Sequence, residues 1–283
     1  MPATDHDLTS LANSHDIISI GMLADDLRRT LHGTRTTFVR VATASAEAGA
    51  PVARSSAAGE LRIVGAPASL SAAVARTGEA AAAAGDAVVT GFSLQDLERL
   101  SVQEGVTLRA LLEELRAAGL ELVGDAAVDA LQDARRSIEE VNIAGLALAR
   151  LTVDRAESPD AMPLLKAVAE LQRAVGVLRA FAPLPRRVNP AAPTTGYDDV
   201  KRVAMARLVV DNVPSIQVDW SLYGPKLAQV ALTVGADDVD AVSPEEATAE
   251  GRRRAPLEEI RRNIRAAGLD PVERNGRFDV LTR

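Results

Sequence analysis

The chain has 283 residues, 47% hydrophobic and 25% charged, with 32 Lys and Arg against 39 Asp and Glu for a formal charge of -7. That length can bury a full core as one large domain or two small ones, and the acidic balance argues against nonspecific nucleic-acid binding, which needs a dense basic footprint. Cysteine is absent, so the chain offers no sulfur nucleophile, no disulfide and no thiolate for an iron–sulfur cluster.

In chain order, residues 19–32 place apolar side chains at helical spacing, and 36–41 read as a strand. The small, polar stretch 43–59 reads as a loop, followed by a strand at 61–64 closed by Gly65. Helix and strand then alternate: helix 69–84, strand 87–90, helices 93–101 and 107–118, strand 120–123 and helix 125–140. Gly119 is placed to end the helix before it. A strand near 146–151 continues the alternation, then helix 164–175, stopped by Gly176, and strand 177–182. The proline-rich stretch 183–193 crosses to helix 197–211. Strand 216–220 leads into helix 225–234, where Pro225 suits a first helical turn. Strand 239–242, a late helix 257–267 and a short strand or hairpin within 272–281 complete the chain.

Eight strands in repeated β–α units predict an α/β fold, a TIM-type (β/α)₈ barrel. A doubly wound sheet stays open as the alternative, since the strands at 87 and 146 are weakly marked. The connection after the first strand lacks a strong amphipathic helix, so a shortened first β–α unit is expected. The domain reading is a helical extension over 1–33, the barrel over 34–250, and a C-terminal helix and tail over 251–283 packed on it.

Several chemistries are excluded by pattern. One Trp, two Tyr and four Phe are few for base-stacking platforms. No GxxxxGK[ST] loop and no Gly-x-Ser-x-Gly elbow occurs. The start, MPATDHDLTS, carries acids and no basic stretch, unlike a secretory signal. No apolar run approaches the roughly 18–20 residues of a membrane span. A cytoplasmic protein without a membrane or nucleic-acid partner is expected.

The segment 193–240 carries a resemblance. Thr195-Gly196-Tyr197, Trp220 followed by Gly224-Pro225-Lys226-Leu227-Ala228-Gln229, and Gly235-Ala236-Asp237-Asp238-Val239-Asp240 stand in order. Together they resemble the menaquinone (futalosine pathway) and coenzyme F420 branch of the radical S-adenosylmethionine enzymes. Thinner matches lie elsewhere: Leu31-His32-Gly33 before the first strand, Arg62-Ile63-Val64-Gly65 on the second, and Gly268-Leu269-Asp270-Pro271 near the end. The resemblance implies a barrel whose loop after the first strand holds three cluster cysteines. Here that position reads Ala42-Thr43-Ala44-Ser45-Ala46-Glu47, and Ser and Ala cannot replace soft thiolate ligands. The family's glycine-rich cofactor segment is reduced to Gly124 beside Asp125. Its histidine- and glutamate-bearing stretch after strand 5 has only Glu157-Ser158-Pro159 as a counterpart.

The resemblance places the ligand-binding candidates at Trp220, Asp219, Asp240, Glu157, Gly124 and His32. Each also has a plainer reading. Trp220 is either an aromatic wall or a packing anchor, and alternation sends it and Asp219 to opposite faces. Asp240 either orients ligand hydroxyls or accepts within a loop, while Asp237 and Asp238 read as turn residues. His32 matches the family motif but has no histidine–carboxylate cluster to make a metal site. Arg252–Arg254 read as a solvated approach to the last helix. No catalytic residue, metal or cofactor is assigned.

The expected function is that of a non-radical homologue, a pseudoenzyme binding a small metabolite or a pathway partner without cluster chemistry. Two alternatives stand beside it. One is a cluster-independent acid–base enzyme around Asp219, Asp240 or Glu157. The other is a stabilising subunit of a cysteine-containing paralogue, or a homo-oligomer.

Overall fold

A computed structural model describes residues 5–47, 49–52, 55–155, 161–188, 190–191, 193–248 and 254–282. Two helices, α1 (Asp5–Asn13) and α2 (Ile17–His32), precede β1 (Arg35–Ser45) and β2 (Glu60–Val64). Then follow α3 (Leu70–Ala84), β3 (Val88–Ser93), α4 (Leu94–Glu104), α5 (Leu108–Ala117), β4 (Leu122–Ala127) and α6 (Ala134–Ile143). The short pieces β5 (Ala147–Leu148) and β6 (Leu151–Val153) lead to α7 (Met162–Val175), β7 (Ala180–Pro185) and α8 (Gly196–Val209). The chain ends with β8 (Ser215–Asp219), α9 (Trp220–Leu232), β9 (Asp238–Val242), α10 (Pro256–Ala266) and β10 (Asp270–Glu273).

Every ladder between these strands is parallel. The order β1-β2-β3-β4-β6-β7-β8-β9 closes through the pairing of β1 with β9. The structure is therefore an eight-staved parallel barrel in which β5 and β6 together make one broken stave, both pairing with β4. The doubly wound alternative is set aside by that closure. β1 is long enough to serve two neighbours: Val41–Ser45 pair with β2, while Arg35–Phe38 pair with β10. The terminal strand thus fills the lower part of the wall beneath β2.

Local sequence explains the outer ring. Amphipathic α5 buries Leu111, Leu112 and Leu115, and Thr107 caps it by accepting from Ala110 N–H at 3.2 Å. Thr195 and Asp198 form a reciprocal capping box at the start of α8. The apolar core lies between these helices and the barrel wall, with Phe38, Ile63, Leu97, Val123, Phe181 and Val203 all buried.

Three element expectations shift. The strand expected at 120–123 runs on to Ala127, and helix α6 starts only after Asp133, whose carboxylate caps Arg136 N–H. Gly124 to Ala127 are drawn into the wall by pairing with β3 and β6, overriding the helical tendency of alanine. Helix α9 begins at Trp220 rather than Pro225, kinked at Gly224 with φ 76° and ψ 169°. The crossover between β1 and β2 contains no helix among its described residues, in keeping with the shortened first unit.

Candidate functional site

The barrel interior is polar where it matters most. Charged side chains alternate along β2 and β9: Glu60 and Arg62 on one strand, Asp238 and Asp240 on the other. A two-residue period sends each pair to the same face, here inward. In the upper layer Arg62 donates Nε–H to Glu60 Oε1 and Nη2–H to Asp240 Oδ1, both at 2.7 Å. Thr90 donates its hydroxyl to Glu60 Oε1 at 2.6 Å. Arg150, in the break between β5 and β6, reaches across the barrel to place Nη1 3.2 Å from Asp240 Oδ2. In the lower layer Arg274 binds both oxygens of Asp238 at 2.6 Å, and Gln217 donates to the same carboxylate at 2.7 Å.

Charges this deep persist only when paired. Burial pushes the Asp240 carboxyl up, but the Arg150 and Arg62 guanidinium groups outweigh it and hold it far below the usual carboxylate range. Glu60 follows the same balance, burial opposed by Arg62 and Arg150, with a net lowering. Both are therefore fixed anions in the folded protein.

Above this layer, at the C-terminal ends of the strands where barrel proteins place their sites, opens a cavity of about 730 Å³. Its lining includes Thr43, Arg62, Phe92, Ser93, Gly124, Asp125, Arg150, Arg186, Asp219 and Ser221. Two lining residues other than glycine, Phe92 and Ala241, adopt left-handed backbone with φ 59° and 58°. Such strain costs about 1–3 kcal/mol per residue and is characteristic of functional sites. Phe92 stands opposite Gly124, between the pairs Gly91–Val123 and Ser93–Asp125, and a Cβ at 124 would stand 2.9 Å from the Phe92 carbonyl oxygen.

The residues singled out from sequence separate in space. Asp219 lines the cavity: Oδ1 accepts from Leu222 N–H at 2.9 Å, capping α9, and Oδ2 lies 3.5 Å from Arg186 Nη1. Gly124 also lines it. Asp240 lies directly beneath, locked in the ion network. Trp220 is not among the lining residues; it opens α9, half-buried against the apolar core. His32 lies at the opposite, N-terminal end of the barrel, with Nε2 3.0 Å from the Pro214 carbonyl and 3.7 Å from Asp237 Oδ2. Burial lowers its pKa despite the attraction of Asp237. Glu157 lies outside the described residues, as do Arg252 and Arg253. Asp237 and Asp238 are not turn residues: Asp237 is buried against Arg207, Ser215 and Ile216 N–H, and Asp238 is the lower interior carboxylate.

The residues that build the mouth but were not among the sequence candidates are Glu60, Arg62, Asp125, Arg150 and Arg186, although Arg62 and Asp125 stood within the segments that carried the resemblance. A signal existed for three of them. Glu60 and Arg62 alternate within ELRIV, and Arg150 sits inside LALARLTV. An ion in an apolar strand is costly unless partnered, so each marks an inward polar contact.

A closed parallel barrel with its cavity at the C-terminal mouth defines the class, a TIM-type (β/α)₈ barrel. The X-ray structure of the FeFe-hydrogenase maturase HydG from Carboxydothermus hydrogenoformans superposes with a TM-score of 0.63 at 11% identity, over 96% of this chain and 76% of that one. That likeness is one of fold. The family model for the CofH/MqnC C-terminal region matches residues 182–283. Aminodeoxyfutalosine synthase of Streptomyces coelicolor is 40% identical over 93 residues, 31% of this chain and 24% of that enzyme. The 5-amino-6-(D-ribitylamino)uracil--L-tyrosine 4-hydroxyphenyl transferase of Archaeoglobus fulgidus is 26% identical over 222 residues, 68% of this chain and 65% of that enzyme. The matches thus span less than two thirds of these relatives' lengths. The chain is a radical-SAM-like protein related to CofH/MqnC that has no cysteine to hold a four-iron cluster.

The residues present do not fit such a cluster. After β1 the chain offers hydroxyls and Glu47 in place of thiolates. The segment is held instead by buried Arg76, which donates Nε–H to the Ser45 carbonyl at 2.6 Å and Nη1–H to the Ala50 carbonyl at 2.8 Å. Among the described residues no group of three or more His, Cys, Asp or Glu is placed to hold a metal ion. Likewise, no helix among them is long and apolar enough to cross a membrane.

Proposed function

We propose that this chain binds a small polar metabolite at the barrel mouth and carries out no radical chemistry, as a pseudoenzyme homologue of the futalosine- and F420-pathway enzymes. One observation carries the reading: an open cavity of about 730 Å³, lined by charged and hydroxyl side chains together with Ile63, Val64 and Phe92, lies at the C-terminal mouth of a chain with no thiolate to support the parent reaction. Its volume falls within the range of about 300–1,000 Å³ usual for small-molecule sites. A cluster-independent acid–base role draws less support, because Asp240 is held as a fixed anion and Asp219 is committed to capping α9. A role beside a cysteine-containing paralogue rests on the pattern of losses alone.

The test is native mass spectrometry of the purified full chain after incubation with a small-molecule extract. A one-to-one adduct is expected. It is lost in Thr43→Trp, which fills the mouth from an exposed strand position that tolerates an aromatic residue. Anaerobic reconstitution with iron and sulfide leaves no stoichiometric iron. No adduct with the wild-type chain, or one unchanged by Thr43→Trp, overturns the reading.

A further inference from the structure

We infer that Arg150 and Asp125 form the recognition pair of the mouth and that they take an uncharged, hydroxyl-rich ligand of sugar size. The inference rests on the cavity reading above. Arg150 is 3% exposed and lines the cavity, yet its guanidinium makes no aligned hydrogen bond among the described residues. Its neighbours are Asp240 Oδ2 at 3.2 Å, and Glu60 Oε1 and Asp125 Oδ2 at 4.0 Å. Its Nε–H is buried without an acceptor. A buried guanidinium left unsatisfied in this way is costly, and partnered donors are the rule.

The charge balance then selects the ligand class. Glu60 and Asp240 cancel Arg62 and Arg150 within the buried layer, and Arg186 stands against Asp219. Asp125 is left as a partly exposed carboxylate beside Arg150, and Asp96, paired with Arg99, and Glu245 add further carboxylates to the lining. What Arg150 lacks is an aligned hydrogen-bond acceptor, not counter-charge: Asp240 Oδ2, itself without a hydrogen bond among the described residues, lies 3.2 Å from Nη1. A phosphate or carboxylate would meet Asp125 at close range, and a bare cation would meet Arg150. A hydroxyl group satisfies both neighbours, accepting from the guanidinium while donating to the carboxylate. The rim repeats that chemistry with Thr43, Ser93, Ser221 and Ser243.

The test measures binding of D-glucose, glycine and inorganic phosphate to the full chain, by saturation-transfer NMR for the first two and phosphorus line width for the third. Wild type is expected to bind glucose saturably and the two ionic probes not at all. Asp125→Asn and Arg150→Lys should each weaken glucose binding about tenfold or more, the effect of roughly one charged hydrogen bond. Asp125 is partly exposed and has no aligned partner of its own, so its variant is expected to stay folded, and circular dichroism checks both. Saturable phosphate or glycine binding without glucose binding overturns the ligand class, as does failure of glucose to bind. Equal glucose binding by both variants overturns the residue assignment. An extract adduct retained by both variants also overturns that assignment while leaving the cavity reading standing; absence of any adduct takes down the cavity reading instead.

Discussion

Single side chains here are governed by what burial does to charge. Glu60 and Asp240 have folded pKa values below their ordinary ones because Arg62 and Arg150 outweigh the cost of burial. The unfolded chain therefore binds more protons as pH drops past the ordinary carboxyl values of about 4. The stability these groups supply is complete above that pH and is lost as pH falls through their folded values. Urea unfolding at a series of pH values should show this acid loss in wild type and a shallower one in Glu60→Gln. Gly124 illustrates a different constraint. A Cβ there would stand 2.9 Å from the Phe92 carbonyl oxygen, and backbone cannot swing aside as a flexible side chain would. Gly124→Ala should lower unfolding stability by about 1–3 kcal/mol, the usual cost of overpacking.

At the scale of elements, the irregular pieces are the ones that shape the mouth. The broken stave, β5 and β6, releases Arg150 into the interior between two short pairings with β4. Phe92 takes a left-handed backbone with φ 59° at the end of β3 while the pairing with β4 runs through it unshifted. Helix α9 turns sharply at Gly224, whose φ of 76° and ψ of 169° are open essentially to glycine alone. Nothing lies within 4 Å of a Cβ placed there, so any cost of substitution is purely one of backbone. Gly224→Ala should destabilise by about 1–3 kcal/mol in thermal or urea unfolding. A loss near zero would mean that the kink relaxes.

For the whole molecule, the carboxy-terminal strand belongs to the barrel itself. β10 pairs with the first half of β1, and Arg274 immediately after it neutralises the interior Asp238. The tail and the lower interior layer should therefore unfold with the barrel. Arg274→Met leaves Asp238 buried with Thr37 and Gln217 as its side-chain partners among the described residues. Removing one partner of a buried ion pair costs about 3–5 kcal/mol. A single, cooperative transition shifted to lower denaturant is the expected result, whereas a separate early transition would show that the tail is a detachable layer.

The β–α alternation, the helix stop at Gly176 and the missing thiolates were legible from residue order, because periodicity, a left-handed glycine cap and ligand softness are local or compositional properties. The barrel followed from counting strands, although Gly124–Ala127 became wall only through pairing with neighbours distant in sequence. Glu60, Arg62 and Arg150 could be recognised as anomalous ions in apolar strands, but not as partners. Which ion meets which across a barrel depends on closure, register and the break at Arg150. Closure likewise put His32 at the foot of the barrel, Asp219 at its mouth and Trp220 into the packing, since all three positions depend on where strands end in space. Sequence alone determined what chemistry the chain lacks. Tertiary structure decided what its mouth offers, because hydrogen-bond geometry and charge balance exist only once the staves stand together.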